Sequence, residues 1–386
     1  LRQDVLERYL LLMNDMSGLT ATSVMKPSKA NHGASTMTIK LTLKPVDAFA
    51  SVDNRGTVFV GQEQGTIGFT LNSLAGAGES LGFTYSNSQD KKELKFGRLA
   101  FSMPLWPSEG TKISADFSFS KSEPGDTLED LEIKSKSRGW SATFSHPFIR
   151  SREQNLSGRF GFAHKDAEST FLGGLDLSKD ETSTVNVGFT YDLVDSLRGV
   201  SLISADVISG LSGTDKFNEV VSRRDGSAEF NKVVMTVSRN QSLFPGLSLM
   251  GLVKGQMTND QMLSSQEFGF GGAQMGRGYD ASEITGDEGV GGLLELRYGA
   301  STGWEFFKDY QLYGSYDIGM VRNKGADDVV DEKDKETAAS AAIGTRLNLH
   351  NNLSASVEWA KTLTNTLGAN ADKDDQRIFF SITARY

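Results

Sequence analysis

The residue with the most distinctive chemical setting is Arg277, which lies in the glycine-rich stretch 268–298. Nine glycines precede Leu293 in this stretch, which is too many for a helix or an ordinary strand, because glycine adopts backbone conformations that other residues avoid. An alternating segment follows, with apolar residues on one face and Glu295 and Arg297 on the other. The pattern predicts a long, tightly folded loop that holds a cation and leads into a strand with one polar face.

Enzymatic chemistry has little support among the other titratable residues. The histidines follow no ligand spacing, and a chain without cysteine cannot form a thiolate zinc site or a thiol nucleophile. The sequence has no Gly-x-Ser-x-Gly elbow and no Walker loop. An acidic run from Asp327 to Asp334 lacks the spacing of an EF-hand and is better interpreted as a solvated external loop. We therefore expect no enzymatic activity, no cofactor and no metal. The four histidines are His32, His146, His164 and His350.

Composition limits the class of protein. The chain has 386 residues, enough for one large domain or two to three ordinary ones, with 38% hydrophobic residues and a mean hydropathy of -0.32. Its most concentrated apolar run, Tyr9 to Met13, is far shorter than the roughly 20 residues of a membrane-spanning helix. A β-barrel remains possible, because its strands alternate lipid-facing and lumen-facing residues. The net charge of -9 argues against a nucleic-acid surface.

Sixteen alternating segments follow one another from Asp47 to the end of the sequence. Each has about ten residues, the length with which a tilted strand crosses a bilayer. This alternation alone would also suit a large soluble β-sandwich or barrel. One of the clearest segments places Val185, Val187, Phe189 and Tyr191 on one face and Asn186, Gly188, Thr190 and Asp192 on the other.

The connections between these segments favour a transmembrane barrel. Those after even-numbered segments are short, whereas most of those after odd-numbered segments are longer and hydrophilic, an asymmetry typical of outer-membrane barrels. The sixth long loop, about 258–288, is the longest and contains Arg277. We predict an all-β fold, a 16-stranded antiparallel transmembrane barrel. Other connections expected to be long loops are Lys121 to Lys136, Lys165 to Thr182, Gly210 to Gly226, Arg322 to Lys335 and Leu363 to Gln376.

Four short motifs occur in order around Arg277: Phe270 to Gly272, Gly276 to Tyr279, Gly286 to Gly289, and Glu295 to Arg297. The string resembles the sixth loop of the two-partner-secretion transporters, the hemolysin-activator or ShlB/FhaC/HecB family, and of the related BamA-type assembly factors. Gly276 departs from the pattern, since an aliphatic residue usually precedes the arginine. Further segments, such as His146 to Arg152, are more similar to the transporters than to the BamA-type factors.

The resemblance implies a site inside the barrel. In the family the loop folds into the lumen and its arginine pairs with an acidic residue of a later strand, which here implies a pair between Arg277 and Asp317. A guanidinium can bond a carboxylate bidentately, although in a wet pore the two would be merely solvated charges. Glu295 and Arg297 face the same lumen and either extend the network or only line the pore. The tip motif is Gly276, Arg277, Gly278 and Tyr279, and the other motif glycines are Gly271, Gly272, Gly286 and Gly289.

Residues 1–45 differ from the rest of the chain. Asp4 to Asn14 has the composition of a helix, and Leu19 to Met25 and Met37 to Leu43 read as strands. The order resembles the second half of a POTRA domain, the periplasmic module that precedes the barrel in this family. The family carries two such modules and a plug helix, so we expect the chain to be part of a longer protein, with the barrel at 46–386.

The implied function is that of an outer-membrane translocator. It would capture a large secreted partner protein (an adhesin, a hemolysin or a contact-dependent toxin) through the periplasmic POTRA domain and pass it through the barrel without nucleotide hydrolysis. Membrane lipid would surround the barrel, no nucleic acid would bind, and the transporter would be a monomer. Two alternatives remain open: a BamA-like barrel assembly factor, and a passive porin, which would need no periplasmic domain.

Overall fold

A computed structural model describes residues 2–28, 33–90, 92–213, 220–325, 334–350, 352–366 and 376–386. A small N-terminal unit comes first. It consists of helix α1 (Gln3–Asn14) and a two-stranded antiparallel sheet of β1 (Leu19–Pro27) and β2 (Ser35–Leu43). Four residues of the acidic run from Asp327 to Asp334 lie outside the described residues, as does His32; the four are Asp327, Asp328, Asp331 and Glu332.

The rest of the chain forms a closed barrel of sixteen strands, all paired antiparallel, which confirms the predicted fold. Neighbouring strands of its wall are paired in the order in which they occur in the chain, and the last strand pairs with the first. A short hairpin, β14 (Phe268–Phe270) with β15 (Ile284–Gly286), stands apart from the wall. The strands of the wall are β3 (Val46–Asp53), β4 (Gln64–Asn72), β5 (Ser80–Ser88), β6 (Lys95–Trp106), β7 (Thr111–Ser122), β8 (Lys134–Arg150), β9 (Gln154–Phe171), β10 (Leu175–Val194), β11 (Gly199–Gly213), β12 (Asn231–Phe244), β13 (Leu247–Thr258), β16 (Glu288–Ser301), β17 (Asp309–Arg322), β18 (Lys335–His350), β19 (Leu353–Thr362) and β20 (Gln376–Arg385).

The two faces of the wall differ in polarity and burial. On β17, the side chains of Leu312, Tyr316 and Ile318 point outward and are 50%, 47% and 52% exposed, whereas those of Tyr313 and Asp317 point inward and are 7% and 0% exposed. Side chains alternate between the faces of a strand, so this pattern gives the barrel an apolar exterior and a polar interior. A barrel in a membrane has this polarity. None of the described helices is long and apolar enough to cross a membrane.

The connections are unequal at the two ends of the barrel, but one predicted loop is wrong. Residues 165–182 were expected to form a loop, yet β9 and β10 continue as a paired hairpin and turn only at 172–174. In this segment charged and polar residues occupy both faces of the strands. The sequence therefore lacks the alternation of apolar and polar residues that indicates a strand, although the hydrogen-bond ladder continues. Between β7 and β8 the loop contains a single short 3₁₀ helix, Asp126–Leu131.

The N-terminal unit contacts the barrel at the end that has the short turns. Leu12 of α1 is 3% exposed and lies against the turn at Gly110. Asp15 accepts two hydrogen bonds from the Arg150 guanidinium, at 2.7 and 2.8 Å, and Arg8 donates to the carbonyl oxygen of Pro147. These contacts define which end of the barrel adjoins residues 1–45, and the longer loops lie at the opposite end.

Candidate functional site

The glycine-rich loop lies against the inner face of the barrel wall. Its apolar residues form a buried cluster with Val321 and Ala338 of strands β17 and β18. Phe270 and Ile284, which pair across the β14–β15 hairpin, are 0% and 1% exposed. The loop is therefore packed as a small core of its own inside the barrel. The loop residues of this cluster are Phe268, Phe270, Met275, Tyr279 and Ile284.

Glycines of the wall provide the space for this cluster. A Cβ at Gly319 would lie 2.2 Å from the Phe270 ring, one at Gly291 would lie 2.4 Å from Met275 Cε, and one at Gly289 would lie 2.2 Å from the Phe268 ring. Such distances are far inside van der Waals contact, so any side chain at these positions would displace the loop. These three glycines of the wall thus form a depression that fits the side chains of Phe268, Phe270 and Met275.

The loop backbone depends on glycine as well. Gly276 has φ of +79°, and its ideal Cβ would lie 2.8 Å from the Phe270 ring. An aliphatic residue, usual in the family pattern, would be strained in this conformation. Gly271 and Gly272 also have positive φ. Gly286 differs, because there the main chain of Arg322 lies within 2.8 Å of its ideal Cβ, so close packing excludes a side chain.

Asp317 binds the main chain of the tip. Its Oδ2 atom accepts hydrogen bonds from the backbone N–H groups of Gly276 and Arg277, each at 3.0 Å, and the side chain is 0% exposed. The predicted proximity of Arg277 and Asp317 is therefore found, but the predicted bond between guanidinium and carboxylate is wrong. The carboxylate instead satisfies two adjacent buried donors, which hold the turn at the tip.

The Arg277 guanidinium reaches a different carboxylate. Nη1 lies 2.5 Å from Glu295 Oε2 and 3.4 Å from Glu358 Oε2, and it donates to Ser315 Oγ at 3.3 Å. The side chains of Arg277 and Glu295 are 5% and 0% exposed. Burial would lower the pKa of Arg277, but attraction and hydrogen bonding from Glu295 outweigh it, so the pKa is raised. The tip cation is therefore held in its charged form.

Glu295 is the centre of the network rather than a pore-lining residue. Its two oxygens accept from Arg277, from Arg297 Nε at 2.5 Å, and from Arg346 Nη1 and Nη2 at 3.0 and 3.1 Å. Three guanidiniums around one buried carboxylate satisfy its acceptors in a setting where an unpaired charge would be very costly. Of the two alternatives for Glu295 and Arg297, the structure places both residues in the network.

Glu358 of β19 is a second carboxylate centre, which was not among the site residues predicted from the sequence. It accepts from Arg55 Nη2 and from the Tyr313 hydroxyl, each at 2.6 Å. Arg55 follows β3, on the far side of β20, so the network extends across the junction of the first and last strands of the barrel. The signal was available in the alternation of β19, which places Glu358 on the same face as other lumen residues.

Two contacts fix the rest of the tip motif. The Tyr279 hydroxyl lies 2.9 Å from the carbonyl oxygen of Ala339 and 2.6 Å from that of Thr364. Gly278 packs against β19, where its ideal Cβ would lie 2.9 Å from the backbone nitrogen of Thr362. Tip residues 276–279 are thus bound by four neighbouring strands, β16 to β19, and by the chain just beyond β19.

A further buried cluster closes the base of the loop. Asp287 is 0% exposed and accepts from the backbone of Met262 at 2.8 Å, from Arg223 Nη1 at 2.7 Å and from the backbone of Lys324 at 2.8 Å. It thereby joins three of the long connections. Asp287 lies in the Gly-Asp-x-Gly motif, one of the four motifs that occur in order around Arg277, so the sequence contained an indication of its role. Nothing in the sequence pointed to Arg223.

One group of potential metal ligands occurs among the described residues, consisting of His164, Asp166 and Glu181 at the outer part of β9 and β10. His164 Nδ1 is 3.0 Å from the Ser183 hydroxyl, and both carboxylates are exposed. The group is remote in sequence from the tip network and forms no part of it.

Comparison with known proteins identifies the family. The model of the haemolysin secretion/activation protein ShlB/FhaC/HecB family matches residues 33–347. The chain belongs to this family. It is accordingly an outer-membrane β-barrel, and members of the family are transporters rather than enzymes.

Individual relatives of this ShlB/FhaC/HecB-family chain are distant. The heme/hemopexin transporter protein HuxB of Haemophilus influenzae is 23% identical over 381 residues, which cover 96% of this chain and 66% of HuxB. The chain therefore spans about two thirds of the length of the curated relatives it matches.

Solved structures show the same fold. CdiB from Escherichia coli superposes with a TM-score of 0.81 at 16% identity, over 97% of this chain and 69% of CdiB. CdiB from Acinetobacter baumannii gives 0.72 at 17% identity, over 95% and 66%. BamA from Haemophilus ducreyi lacking POTRA domains 1–3 gives 0.61 at 14% identity, over 95% and 75%.

The network predicts which carboxylate holds the tip. Glu295→Gln should free residues 275–279 from the barrel wall more than Asp317→Asn, because it leaves three guanidiniums around a neutral amide. Breaking a buried ion pair in this way lowers the stability of the docked loop by about 3–5 kcal/mol. Asn at 317 keeps an oxygen for the two backbone donors, so its cost should be near 1 kcal/mol. Hydrogen–deuterium exchange of peptides covering the tip measures both. Greater release by Asp317→Asn would contradict this assignment.

The depression in the wall predicts a contrast between two glycines of the same strand. Gly319→Ala should destabilise the loop by about 1–3 kcal/mol, because the new methyl group would overlap the Phe270 ring. Gly314→Ala is the matched control, since its Cβ would lie 3.9 Å from the nearest atom, on Ile343. Thermal unfolding in detergent compares the two variants, and equal midpoints would refute the proposed fit of ring and glycine.

Proposed function

We propose that this barrel exports a large partner protein across the outer membrane. The observation that carries the proposal is the buried tip of the sixth loop, in which Arg277 binds Glu295 inside a barrel of the ShlB/FhaC/HecB family. A loop held there by polar contacts occupies part of the interior. Passage of a polypeptide would therefore require the loop to move, and its attachment is suited to that.

The chemistry of the attachment supports movement. Arg297 and Arg346 are 24% and 39% exposed in their side chains, so water reaches one side of the network. Polar groups that leave one another can bind water or the polar backbone of a passing chain, which lowers the cost of exchange. An apolar plug would lack this property. The carboxylates and guanidiniums thus hold the loop at rest and allow its release.

The N-terminal unit supports a site for recognising the partner. We propose that residues 1–45 belong to a POTRA domain in the periplasm, with the barrel at 46–386 and the long loops facing outward. Strand β2 pairs only with β1 among the described residues, and most of its side chains are exposed. An extended segment of the partner could add to such an edge through main-chain hydrogen bonds. The transporter would act as a monomer and without catalysis.

The second candidate function is barrel assembly, as in the BamA-type factors. It is favoured by the likeness to the BamA structure, although the TM-score is lower than for either CdiB structure. Depletion of the protein distinguishes the two functions. Loss of an assembly factor lowers the abundance of many outer-membrane proteins, whereas loss of this transporter should abolish the export of one protein and leave the others unchanged.

The export function predicts a specific role for the tip arginine. Arg277→Ala should reduce secretion of the partner to a small fraction of the wild-type level at equal barrel abundance, because the loop would lose its resting position. Arg98→Ala is the control, since Arg98 also pairs with an acidic residue, Asp116, but is 52% exposed and remote from the tip. Secretion is measured as partner protein in the medium. Undiminished secretion by Arg277→Ala would remove the role assigned to the tip.

A further inference from the structure

Three lysines form a row on the outer face of the barrel. The register pairs Lys95 of β6 with Lys121 of β7, and Lys121 with Lys136 of β8. Neighbouring strands lie about 4.8 Å apart, so the three ammonium groups project from adjacent positions. All three side chains are exposed. Arg138, two residues after Lys136 on the same face, adds a fourth positive charge.

Lys121 lies directly between two other lysines in the register, which places like charges opposite each other. Like charges placed directly opposite each other destabilise a sheet, and no salt bridge joins these four cations to a carboxylate within the described parts of the chain. On β9, Glu168 lies directly opposite Lys136 and Asp166 directly opposite Arg138, so the two cations of β8 have acidic cross-strand neighbours. Lys95 and Lys121, in contrast, have no carboxylate opposite them in the register. Lys95 and Lys121 are therefore the members of the row whose charge is not balanced by a cross-strand carboxylate.

The row begins where the apolar exterior ends. Phe119 pairs with Arg138 and Phe117 pairs with Trp140 on the same outward face. These aromatic side chains are 38%, 46% and 48% exposed for Phe119, Phe117 and Trp140, as expected for groups that contact lipid. A strand rises about 3.3 Å per residue, so the lysines lie roughly 7 Å beyond the last aromatic ring. In a membrane this is the depth of the lipid headgroups.

The row also lies at a defined end of the barrel. Lys95 begins β6, whereas the turn after that strand contacts α1 through Gly110. The lysines are therefore at the end opposite the N-terminal unit. With the orientation given under Proposed function, on which this inference rests, that end meets the outer leaflet of the outer membrane.

We propose that Lys95, Lys121 and Lys136, with Arg138, bind the phosphate groups of an anionic glycolipid in the outer leaflet. The ligand needs two features: phosphates for the cationic row, and acyl chains for the aromatic surface directly beside it. A bis-phosphorylated lipid A has both. Free phosphate or a nucleic acid would leave the adjacent apolar surface unmatched. The bound lipid would neutralise the row and fix the height of this side of the barrel in the membrane.

The test is lipid binding by the purified chain in a nonionic detergent, measured by native mass spectrometry. Bis-phosphorylated lipid A and the same lipid without phosphates are titrated against three proteins. The first is the wild type, and the second carries Lys95→Gln, Lys121→Gln and Lys136→Gln. The third is a control with the same change of charge at exposed lysines near the other end, Lys26→Gln, Lys40→Gln and Lys112→Gln. Heat-modifiable electrophoretic mobility verifies that each barrel is folded.

We expect the row variant to bind bis-phosphorylated lipid A about 10- to 100-fold more weakly than the wild type, since each basic residue near an anionic surface contributes several-fold to binding. The control should change by no more than about two-fold, and the lipid without phosphates should bind all three proteins equally weakly. Wild-type affinity in the row variant, or an equal loss in the control, would overturn the proposal. Displacement of the lipid by millimolar inorganic phosphate would also overturn it, because the site would then accept a free anion. The assay involves no secretion, so its failure is distinct from failure of the export function.

Discussion

The carboxylate of Glu295 is the constraint on which the interior of this barrel depends. A fully buried charge must be compensated by partners within hydrogen-bond distance, and here the partners come from three separate places: the loop tip, the same strand and β18. Arg277 can serve as one of them only if the loop turns back into the lumen. The energetic requirement of one side chain on the wall thus specifies the position of a loop of about thirty residues.

The other features of the site serve the same placement by different means. Asp317 accepts from the backbone N–H groups of Gly276 and Arg277, so that these two donors of the turn are paired although they are buried. Wall glycines remove side chains where the aromatic residues of the loop must pack. Asp287 joins the base of the loop to two neighbouring connections. Ionic contacts, backbone hydrogen bonds and shape therefore act at successive points along one segment.

Much of this architecture could be predicted from the sequence, and the limits have physical causes. The alternation of apolar and polar residues identified sixteen strands, because successive side chains of a transmembrane strand face the lipid and the lumen in turn and so differ in polarity. The same signal failed at 165–182, where the strands extend beyond lipid and both faces are polar. Alternation also placed Asp317 and Glu295 in the lumen. It could not say which one meets the guanidinium, since that depends on the register of β16 against β17, which sets Glu295 opposite Ser315 and Asp317 opposite Leu293.

The central claim is that Glu295 holds the loop tip inside the barrel, and cysteine accessibility tests it most directly. The native chain has no cysteine, so Met275→Cys, at a position 7% exposed, would be the single target of a membrane-impermeant maleimide. Ser282→Cys, at an exposed position of the same loop, serves as the control. We expect Met275→Cys to be protected in the otherwise unchanged chain and to react rapidly once Glu295→Gln is added, while Ser282→Cys reacts in both. Equal labelling of Met275→Cys with and without Glu295 would contradict the claim.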